Sequence, residues 1–391
     1  MSDKKYLFKR NNVWWVKLAV PLSLRSELGY DLRRTTGEKD LDKAIPIRDK
    51  IIEEFKTEFQ IRKVNADDKG IVLRGTEHMQ KTDISDPQYF HKVVDCQYAC
   101  PAHTNVPEYI RLIAQKKYDD AYMLNWESNV FPGILGRTCD RPCEPACRRG
   151  RTHDKPVAIC RLKRVTYDYK NDIDPYLPDI PKVKNGKKIG LIGAGPASLT
   201  VARDLLPLGY EVTIFEKDNK PGGLMRTNIP SFRLPAEVLD EEVYRIIKMG
   251  AELKTNSYID SLEKVIDSFD AVFVGTGAPK GKDLEIPGRK EASENIHIGI
   301  DWLTSIAFEH TKSIGKKVIV IGGGNTAMDC CRTAIRLGAD DVKVTVRSPK
   351  SDMKASDWEL EEAIDEGIPI LDNTSPKEFL LDDEGKLKGM K

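Results

Sequence analysis

Two stretches of the chain repeat one pattern of strand, glycine-rich turn and helix, and this repeat limits the possible folds more than any other feature. The first is KKIGLIGAGPASLTVARDLLPLGYEVTIFEKD (187–218), and the second is KKVIVIGGGNTAMDCCRTAIRLGADDVKVTVRSPK (316–350). Each reads as a buried strand, a turn that opens a helix, and a second strand. This alternation predicts an α/β fold with parallel sheets from residue 184 onward.

The first repeat has the features of a dinucleotide-binding loop. Gly193 permits the tight turn, Gly195 lets a pyrophosphate approach the backbone, and the helix start offers N–H groups and a partial positive charge. Ser198 stands where Gly or Ala is usual and still allows close packing of helix on strand. Glu216, about 20 residues downstream, is placed to accept hydrogen bonds from a ribose hydroxyl.

The second repeat differs at the end of its second strand. Gly322 and Gly324 form the loop, and the strand VKVTVR ends on Arg347. An arginine can pair bidentately with a 2′-phosphate, which an acid would repel, so this loop is predicted to bind NADPH. Lys350 and Lys354 are candidates for further positive charge, although both equally suit a solvated surface.

Two nucleotide loops in one chain indicate two cofactors and a hydride passed between them. Their order suggests FAD first and the nicotinamide nucleotide second. No pair of cysteines lies in the segment directly after Glu216, as a disulfide reductase would require beside its flavin; Cys330 and Cys331 are far downstream. The electrons are therefore expected to leave by another route.

Cysteines are the candidates for that route. Six of the eight lie within 65 residues: Cys96, Cys100, Cys139, Cys143, Cys147 and Cys160. Disulfides are rare in a reducing compartment, and zinc usually takes regularly spaced Cys or His pairs, which His103 and His153 do not provide. Nine Lys or Arg face three Asp or Glu between 137 and 164, an excess that would offset the charge of a thiolate cluster or dock an acidic partner. An iron–sulfur cluster is the favoured interpretation, and zinc or disulfides are the alternatives.

The remaining composition gives a domain plan. Basic and acidic residues nearly cancel, 62 against 61, and no apolar run is long enough to span a membrane. These features and the lack of a signal peptide predict a cytoplasmic protein with no membrane partner. The predicted divisions are a small α+β module (1–66), a linker (67–94), a helical 4Fe-4S domain (95–183), the first part of an FAD domain (184–288) and an NADPH domain (289–391).

From about residue 82 onward the chain resembles the glutamate synthase small subunit and the N-terminal half of dihydropyrimidine dehydrogenase. The shared elements are CP…VPEYI, NVFPGILGRTCDRPCEPAC, PVAI, GAGPA, GGL…IPSFRLP and GGGNTAMDC. The resemblance implies that NADPH reduces FAD and that electrons then cross 4Fe-4S clusters to a partner subunit or domain. Hydride transfer of this kind needs positioning rather than a protein acid or base, so no catalytic residue is predicted.

The resemblance also implies contacts residue by residue. FAD contacts are implied at Gly193, Ala194, Gly195, Pro196, Ala197, Glu216, Gly223, Leu224 and Arg233. NADPH contacts are implied at Gly323, Gly324, Asn325, Thr326, Arg347 and Lys354. Cys100, Cys139 and Cys143 match the ligands of one cluster, and Cys96 and Cys147 match those of the other.

Two departures from the family pattern alter what is expected. The family has a further C-x-x-C upstream of Cys96, which is absent here, so one complete cluster is expected and two are possible. Cys160 is additional and is a candidate for the fourth ligand of the complete cluster. Family members also continue beyond Lys391 and return to the FAD domain, so the chain is expected to be a fragment or to depend on a segment encoded elsewhere.

Residues 1–66 do not fit that family. They resemble the N-terminal arm domain of phage-type tyrosine recombinases, with three short strands followed by a helix, and residues 1–64 carry fifteen basic against ten acidic residues. This excess is compatible with DNA contact. A DNA-binding module fused to a redox-sensing or inactive flavoprotein fragment is therefore an alternative function, and a structural zinc protein with degenerate nucleotide folds is another.

Overall fold

The computed structural model describes residues 7–10, 13–19, 31–68, 94–153, 155–278 and 280–391. Within these ranges the chain divides into two compact units, 1–93 and 94–391. Most of the predicted linker lies outside the described residues. No helix among the described residues is long and apolar enough to cross a membrane.

The first unit is a small antiparallel sheet with one helix. Its elements are β1 (Leu7–Arg10), β2 (Val13–Ala19), β3 (Asp31–Thr35) and α1 (Leu41–Asp68), in the sheet order β1-β2-β3. The Asp40 carboxylate accepts hydrogen bonds from the Asp42 and Lys43 N–H groups and so starts the helix. Val16 packs with Ile51 and Phe55 in a small apolar core. The predicted order of three strands followed by a helix is confirmed.

Among the described residues, the second unit begins with six helices, and the six clustered cysteines lie in these helices or in the segments between them. They are α2 (Asp95–Ala99), α3 (Val106–Ala114), α4 (Tyr118–Asn129), α5 (Pro132–Thr138), α6 (Arg149–Thr152) and α7 (Ile159–Asp168). Asn105 caps α3, because its side chain accepts the Glu108 N–H at 3.3 Å, and Pro107 lies in the first turn.

Helices α5 and α7 approach each other closely because glycines line their contact. A Cβ atom on Gly136 would lie 2.7 Å from the backbone of Arg164, and one on Gly133 would lie 2.3 Å from the Tyr167 ring. Any larger residue at either position would force the helices apart.

Both predicted βαβ repeats form parallel sheets. The elements of the first repeat region are β4 (Lys188–Ile192), α8 (Pro196–Leu205), β5 (Glu211–Phe215), α9 (Leu224–Thr227), α10 (Ala236–Lys248), β6 (Glu252–Lys254) and β7 (Ala271–Val274). Those of the second are α11 (Gly299–Ala307), β8 (Lys317–Ile321), α12 (Asn325–Arg336), β9 (Asp341–Thr345), α13 (Asp357–Asp365) and β10 (Ile370–Leu371), followed by an antiparallel pair, β11 (Phe379–Leu381) and β12 (Leu387–Met390). The first sheet has the order β6-β5-β4-β7 and the second the order β10-β9-β8, all parallel.

A buried carboxylate joins the cysteine-bearing helices to the first nucleotide fold. Glu242 on α10 is 2% exposed and accepts hydrogen bonds from Gly133 N at 2.7 Å, Ile134 N at 3.0 Å and the Tyr122 hydroxyl at 2.9 Å. The two N–H groups belong to the first turn of α5, where an α-helix has no internal partner for them. Burial raises the pKa of Glu242 to about 7 even though these donors and Arg245 favour its ionised form.

Replacing Glu242 by Ala is expected to lower the free energy of unfolding of the full chain by about 3 kcal/mol or more, because three buried donors would lose their acceptor. Urea unfolding followed by tryptophan fluorescence would measure the change. Glu237→Ala, at an exposed position on the same helix, is the matched control and should stay within about 0.5 kcal/mol of wild type. Equal destabilisation by the two substitutions would contradict the role assigned to Glu242.

Candidate functional site

The first glycine loop has the geometry of a pyrophosphate cradle. Gly193 has φ +90°, and a Cβ there would lie 2.6 Å from Gly275 O. A Cβ on Gly223, which has φ +53°, would lie 2.8 Å from the Cα of Gly195. Helix α8 starts at Pro196 without a side-chain cap, so its first N–H groups remain available to an anion.

Glu216 lies directly after β5, facing this loop. It is 5% exposed, and its carboxylate accepts the Ala194 N–H at 2.7 Å and the Asp218 N–H at 3.0 Å. These bonds fix the orientation of the carboxylate and leave lone pairs for a ribose hydroxyl. The residues predicted from the motif are therefore together in space.

Three other predicted FAD residues lie beside the same loop. Ala197 follows Pro196 in α8, and Leu224 opens α9 with 39% of its surface exposed, an apolar side chain available to a planar ring. Ser198 is fully buried against Gly275, where a Cβ would lie 2.2 Å from the serine Oγ. The close packing expected at Ser198 is confirmed.

Arg233 occupies a different environment from the loop residues. Its guanidinium donates to both carboxylate oxygens of Asp329, at 2.6 and 2.8 Å, and also pairs with Glu359. Both partners belong to the second nucleotide fold. A flavin contact by Arg233 remains a prediction, whereas its contact with the second nucleotide fold is a feature that the motif did not indicate.

The second glycine loop has a backbone arrangement similar to that of the first. Gly322 has φ +142°, and a Cβ on Gly323 would lie 2.8 Å from Val346 Cγ2. Helix α12 also starts without a side-chain cap, after Gly324. Asn325 opens that helix, and its Oδ1 accepts the Ser356 N–H at 2.8 Å.

The basic residues predicted to read a 2′-phosphate are on the surface near this loop. β9 ends at Thr345, so Arg347 lies just beyond the strand rather than at its last position, and its side chain is exposed. Lys354 and Thr326 are also exposed, and the Lys354 N–H donates to Gly323 O at 2.8 Å. These side chains are accessible to a ligand.

All eight cysteines are free thiols, so the disulfide alternative finds no support. The interaction between Cys139 and Cys160 lowers the pKa of Cys139 and raises that of Cys160. The Cys160 thiol itself donates to the carbonyl oxygens of Leu135 and Gly136, both at 3.4 Å. Burial, followed by the charge of Cys139, raises the pKa of Cys143 to about 12. The charge of Cys100 also raises the pKa of Cys143.

The remaining two thiols, Cys96 and Cys147, influence each other. Burial, followed by the neighbouring Cys147, raises the pKa of Cys96. The division of the six thiols between two clusters stays a prediction.

Within the described ranges, no three Cys, His, Asp or Glu side chains converge on a point that a single metal ion would occupy. A 4Fe-4S cluster does not require such convergence, since each of its four irons takes one thiolate. Lys163, 6% exposed, lowers the pKa of both Cys139 and Cys143, and so favours their thiolate forms. This donor set fits a cluster.

Comparison with known proteins assigns the family. Residues 187–391 match the family described as pyridine nucleotide-disulphide oxidoreductase, and residues 89–174 match dihydropyrimidine dehydrogenase domain II, 4Fe-4S cluster. The chain belongs to the pyridine nucleotide-disulphide oxidoreductase family. The predicted α/β fold class is confirmed, as is the predicted membership of an oxidoreductase family, with a second match to a 4Fe-4S domain.

The relatives of this chain include subunits of several enzymes. The NADPH-Fe(3+) oxidoreductase subunit beta of Geobacter sulfurreducens is 34% identical over 82% of this chain and 50% of its own length. The glutamate synthase [NADPH] small chain of Azospirillum brasilense is 34% identical over 73% of this chain and 63% of its own length. The NAD-dependent dihydropyrimidine dehydrogenase subunit PreT homolog of Salmonella typhi is 34% identical over 72% and 68%.

Among solved structures, Mycobacterium tuberculosis FprA in complex with NADPH is 17% identical, with a TM-score of 0.44 over 50% of this chain and 61% of its own. The chain spans about half the length of the first curated relatives it matches. Both family matches begin at residue 89 or later, so the recombinase resemblance of residues 1–66 stays a prediction.

A second contact between the two nucleotide folds involves α12. Phe232, next to Arg233, lies 3.9 Å from the Arg336 guanidinium and 4.9 Å from that of Arg332, measured to the ring centre. Both arginines bind Glu366, and their hydrogen bonds lower its pKa from an ordinary 4.5 to about 2, with Arg336 the larger influence.

This shift gives a pH-dependent contribution to stability. The ionised Glu366 is favoured in the folded state, so its contribution is present above about pH 4.5 and is lost as the pH falls towards 2. Glu366→Gln should therefore lower the urea midpoint at pH 7, and the difference from wild type should shrink between pH 4.5 and pH 2. Glu361→Gln, at an exposed position on α13, the helix that Glu366 directly follows, is the control. A difference that does not change with pH would contradict this account.

Proposed function

We propose that the chain takes electrons from NADPH and delivers them, by way of FAD and a 4Fe-4S cluster, to an electron-accepting subunit or domain. When bound, these groups supply the hydride and single-electron chemistry, and the protein supplies binding, orientation and charge. The observation that carries the proposal is a combination within one compact unit. Two helices that follow glycine loops start there without a side-chain cap, and six free thiols lie in the same unit. The relatives named as subunits support a partner.

The first loop is proposed to hold FAD. The lack of side chains at Gly193, Gly195 and Gly223 leaves space in which a pyrophosphate can approach the backbone. Glu216 is oriented to accept hydrogen bonds from ribose hydroxyl groups. The unpartnered N–H groups at the start of α8 favour negative charge. The exposed Leu224 offers an apolar contact.

The second loop is proposed to hold NADPH. Arg347 and Lys354 are exposed cations close to the glycine turn, and no acid ends β9 in the place that Glu216 takes after β5. A guanidinium can bind a 2′-phosphate with two hydrogen bonds. Discrimination between NADPH and NADH is thus assigned to Arg347.

Cys100, Cys139, Cys143 and Cys160 are proposed as the ligands of one complete 4Fe-4S cluster. The influence of Cys139 and Cys160 on each other's pKa, and that of Cys139 and Cys100 on the pKa of Cys143, support this grouping. Cys96 and Cys147 provide only two thiols for a second site. Free thiols of this kind persist in a reducing compartment, and we therefore propose that the protein is cytoplasmic.

The direct test is to purify the full chain without oxygen and to measure iron, sulfide and flavin together with the visible spectrum. Bleaching of flavin and cluster absorbance by NADPH, slower with NADH, is expected. A colourless protein containing zinc and no flavin would overturn the proposal in favour of a structural zinc protein.

Cys160→Ser is expected to reduce the iron content to less than half of the wild-type value, because serine is a poor replacement for a cluster thiolate. Cys139→Ser should have the same effect. Cys330→Ser, at a buried thiol on α12, is the matched control and should keep full iron content. Full iron in Cys160→Ser would remove Cys160 from the ligand set, and full iron in Cys139→Ser would remove Cys139.

Arg347→Glu should weaken NADPH binding by about 100-fold while changing NADH binding by less than about threefold, because a charged pair is replaced by repulsion. Titration calorimetry with both nucleotides would measure the two affinities. Lys377→Glu makes the same charge change at another position in residues 289–391, away from the glycine loop. An unchanged preference for NADPH would show that Arg347 does not read the 2′-phosphate.

A further inference from the structure

The first turn of α13 lies where the second glycine loop, the cysteine loop 139–143 and the first nucleotide fold meet. We name residues 354–359 the junction. It includes Ser356, which precedes the helix, and Trp358 and Glu359 within its first turn. The side chains of Ser356 and Trp358 both contact the cysteine loop, and Ser356 also contacts Asn325. Glu359 contacts Arg233 of the first nucleotide fold.

On the nucleotide side, the junction is bound to the glycine loop by three backbone N–H groups. Gly323 O accepts the N–H groups of Lys354 at 2.8 Å and Ala355 at 2.9 Å. The third bond runs from Ser356 N to the Asn325 side chain at 2.8 Å. A ligand that moves the loop must therefore move the junction.

On the cysteine side, two consecutive residues reach the junction. The Asp140 carboxylate accepts hydrogen bonds from Ser356 Oγ at 3.2 Å and from Asn325 Nδ2 at 3.4 Å. The Arg141 guanidinium lies 4.3 Å from the ring centre of Trp358.

The backbone of Arg141 contacts a proposed cluster ligand directly. Its N–H donates to the Cys139 sulfur at 3.4 Å, and its φ of +54° lies in the left-handed region, which a residue with a Cβ adopts at a cost. A shift of Arg141 would thus change a hydrogen bond to that sulfur. Hydrogen bonds to cysteine sulfurs are among the features that set the reduction potential of an iron–sulfur cluster.

On the flavin side, Glu359 pairs with Arg233, which also binds Asp329 on α12. The junction is consequently held from three directions. It is a single packed element rather than a chain of separate contacts.

We propose that the junction couples nucleotide binding to the 4Fe-4S cluster through Asp140 and Trp358, and this inference rests on the proposed function. Asp140 places a negative charge beside Asn325, the first residue of the helix expected to receive the nucleotide pyrophosphate. Two anions compete for that helix start, so nucleotide binding weakens the Asp140 contact and shifts the loop that carries Cys139. By linkage, the reduced and oxidised cluster then differ in nucleotide affinity by the same factor.

The test is a potentiometric titration of the full chain, followed by electron paramagnetic resonance, with and without 2′-phospho-ADP-ribose. This probe carries the pyrophosphate and the 2′-phosphate but cannot accept a hydride. The expected shift of the cluster midpoint is about 40 mV or more, which corresponds to about a fivefold change in affinity for a one-electron couple. Titration calorimetry on oxidised and dithionite-reduced protein should give the same factor.

Asp140→Asn and Trp358→Leu should each reduce the nucleotide-induced shift to less than half. Trp358→Phe retains an aromatic ring for Arg141 and should keep the shift, as should the control Asp120→Asn, an exposed aspartate of the same helical region. Iron and flavin contents are measured for every variant, and the mild Asp140→Asn exchange carries the test if Trp358→Leu fails to fold.

The outcomes separate the inference from the function on which it rests. Wild-type protein that holds a cluster and binds the probe without any shift would overturn the coupling and leave the proposed function intact. A shift that persists fully in Asp140→Asn would assign it to through-space charge and overturn the junction. A chain that contains neither iron nor a nucleotide site would overturn both.

Discussion

The arrangement of the larger unit depends on a carboxylate buried between its parts. Glu242 lies in the first nucleotide fold. Its carboxylate oxygens accept hydrogen bonds from the first turn of α5 and from the hydroxyl of Tyr122, which both belong to the helices around the cysteines. A buried carboxylate is costly unless it is fully hydrogen-bonded, so this contact is satisfied only in one relative placement of the two parts. Helix α5 ends at Thr138, immediately before Cys139. The position of the proposed cluster ligand thus follows from a contact made at the opposite end of the helix.

Arg233 makes a comparable contact between the two nucleotide folds. Because it binds Asp329 and Glu359 while Phe232 stacks on α12, a short loop of the first fold fixes the helix that starts at the second glycine turn. Glu359 belongs to the junction as well. Under the coupling proposed above, a change at either nucleotide site would reach the other through these buried side-chain contacts.

Much of the fold could be predicted from local patterns. The two βαβ repeats, Asn105 as a helix cap and the glycines of both loops follow from rules that depend on a few neighbouring residues. The ends of strands are less certain, and β9 ends at Thr345 instead of reaching Arg347. The division of the larger unit into cofactor domains at residues 183 and 288 remains a prediction.

The contacts between parts could not be predicted in the same way. Glu242, Asp140 and Trp358 lie in ordinary-looking helical or loop sequences, and their roles depend on partners more than 100 residues away. Such partners have no periodicity or spacing that a single sequence reveals. Burial is the physical property that distinguishes Glu242 from its exposed neighbour Glu237, and burial is set by the assembled fold.

The glycines between α5 and α7 have a consequence for the rate of electron movement. Cys160 lies on α7 and Cys139 directly follows α5, and Gly133 and Gly136 let these two helices pack without space for adjustment. The proposed cluster, held by thiols on such a rigid pair, would change its geometry little on gaining or losing an electron. The reorganisation energy would then be small, and each transfer would need little thermal activation. The absence of side chains at Gly133 and Gly136 would thereby favour rapid electron transfer to and from the proposed cluster.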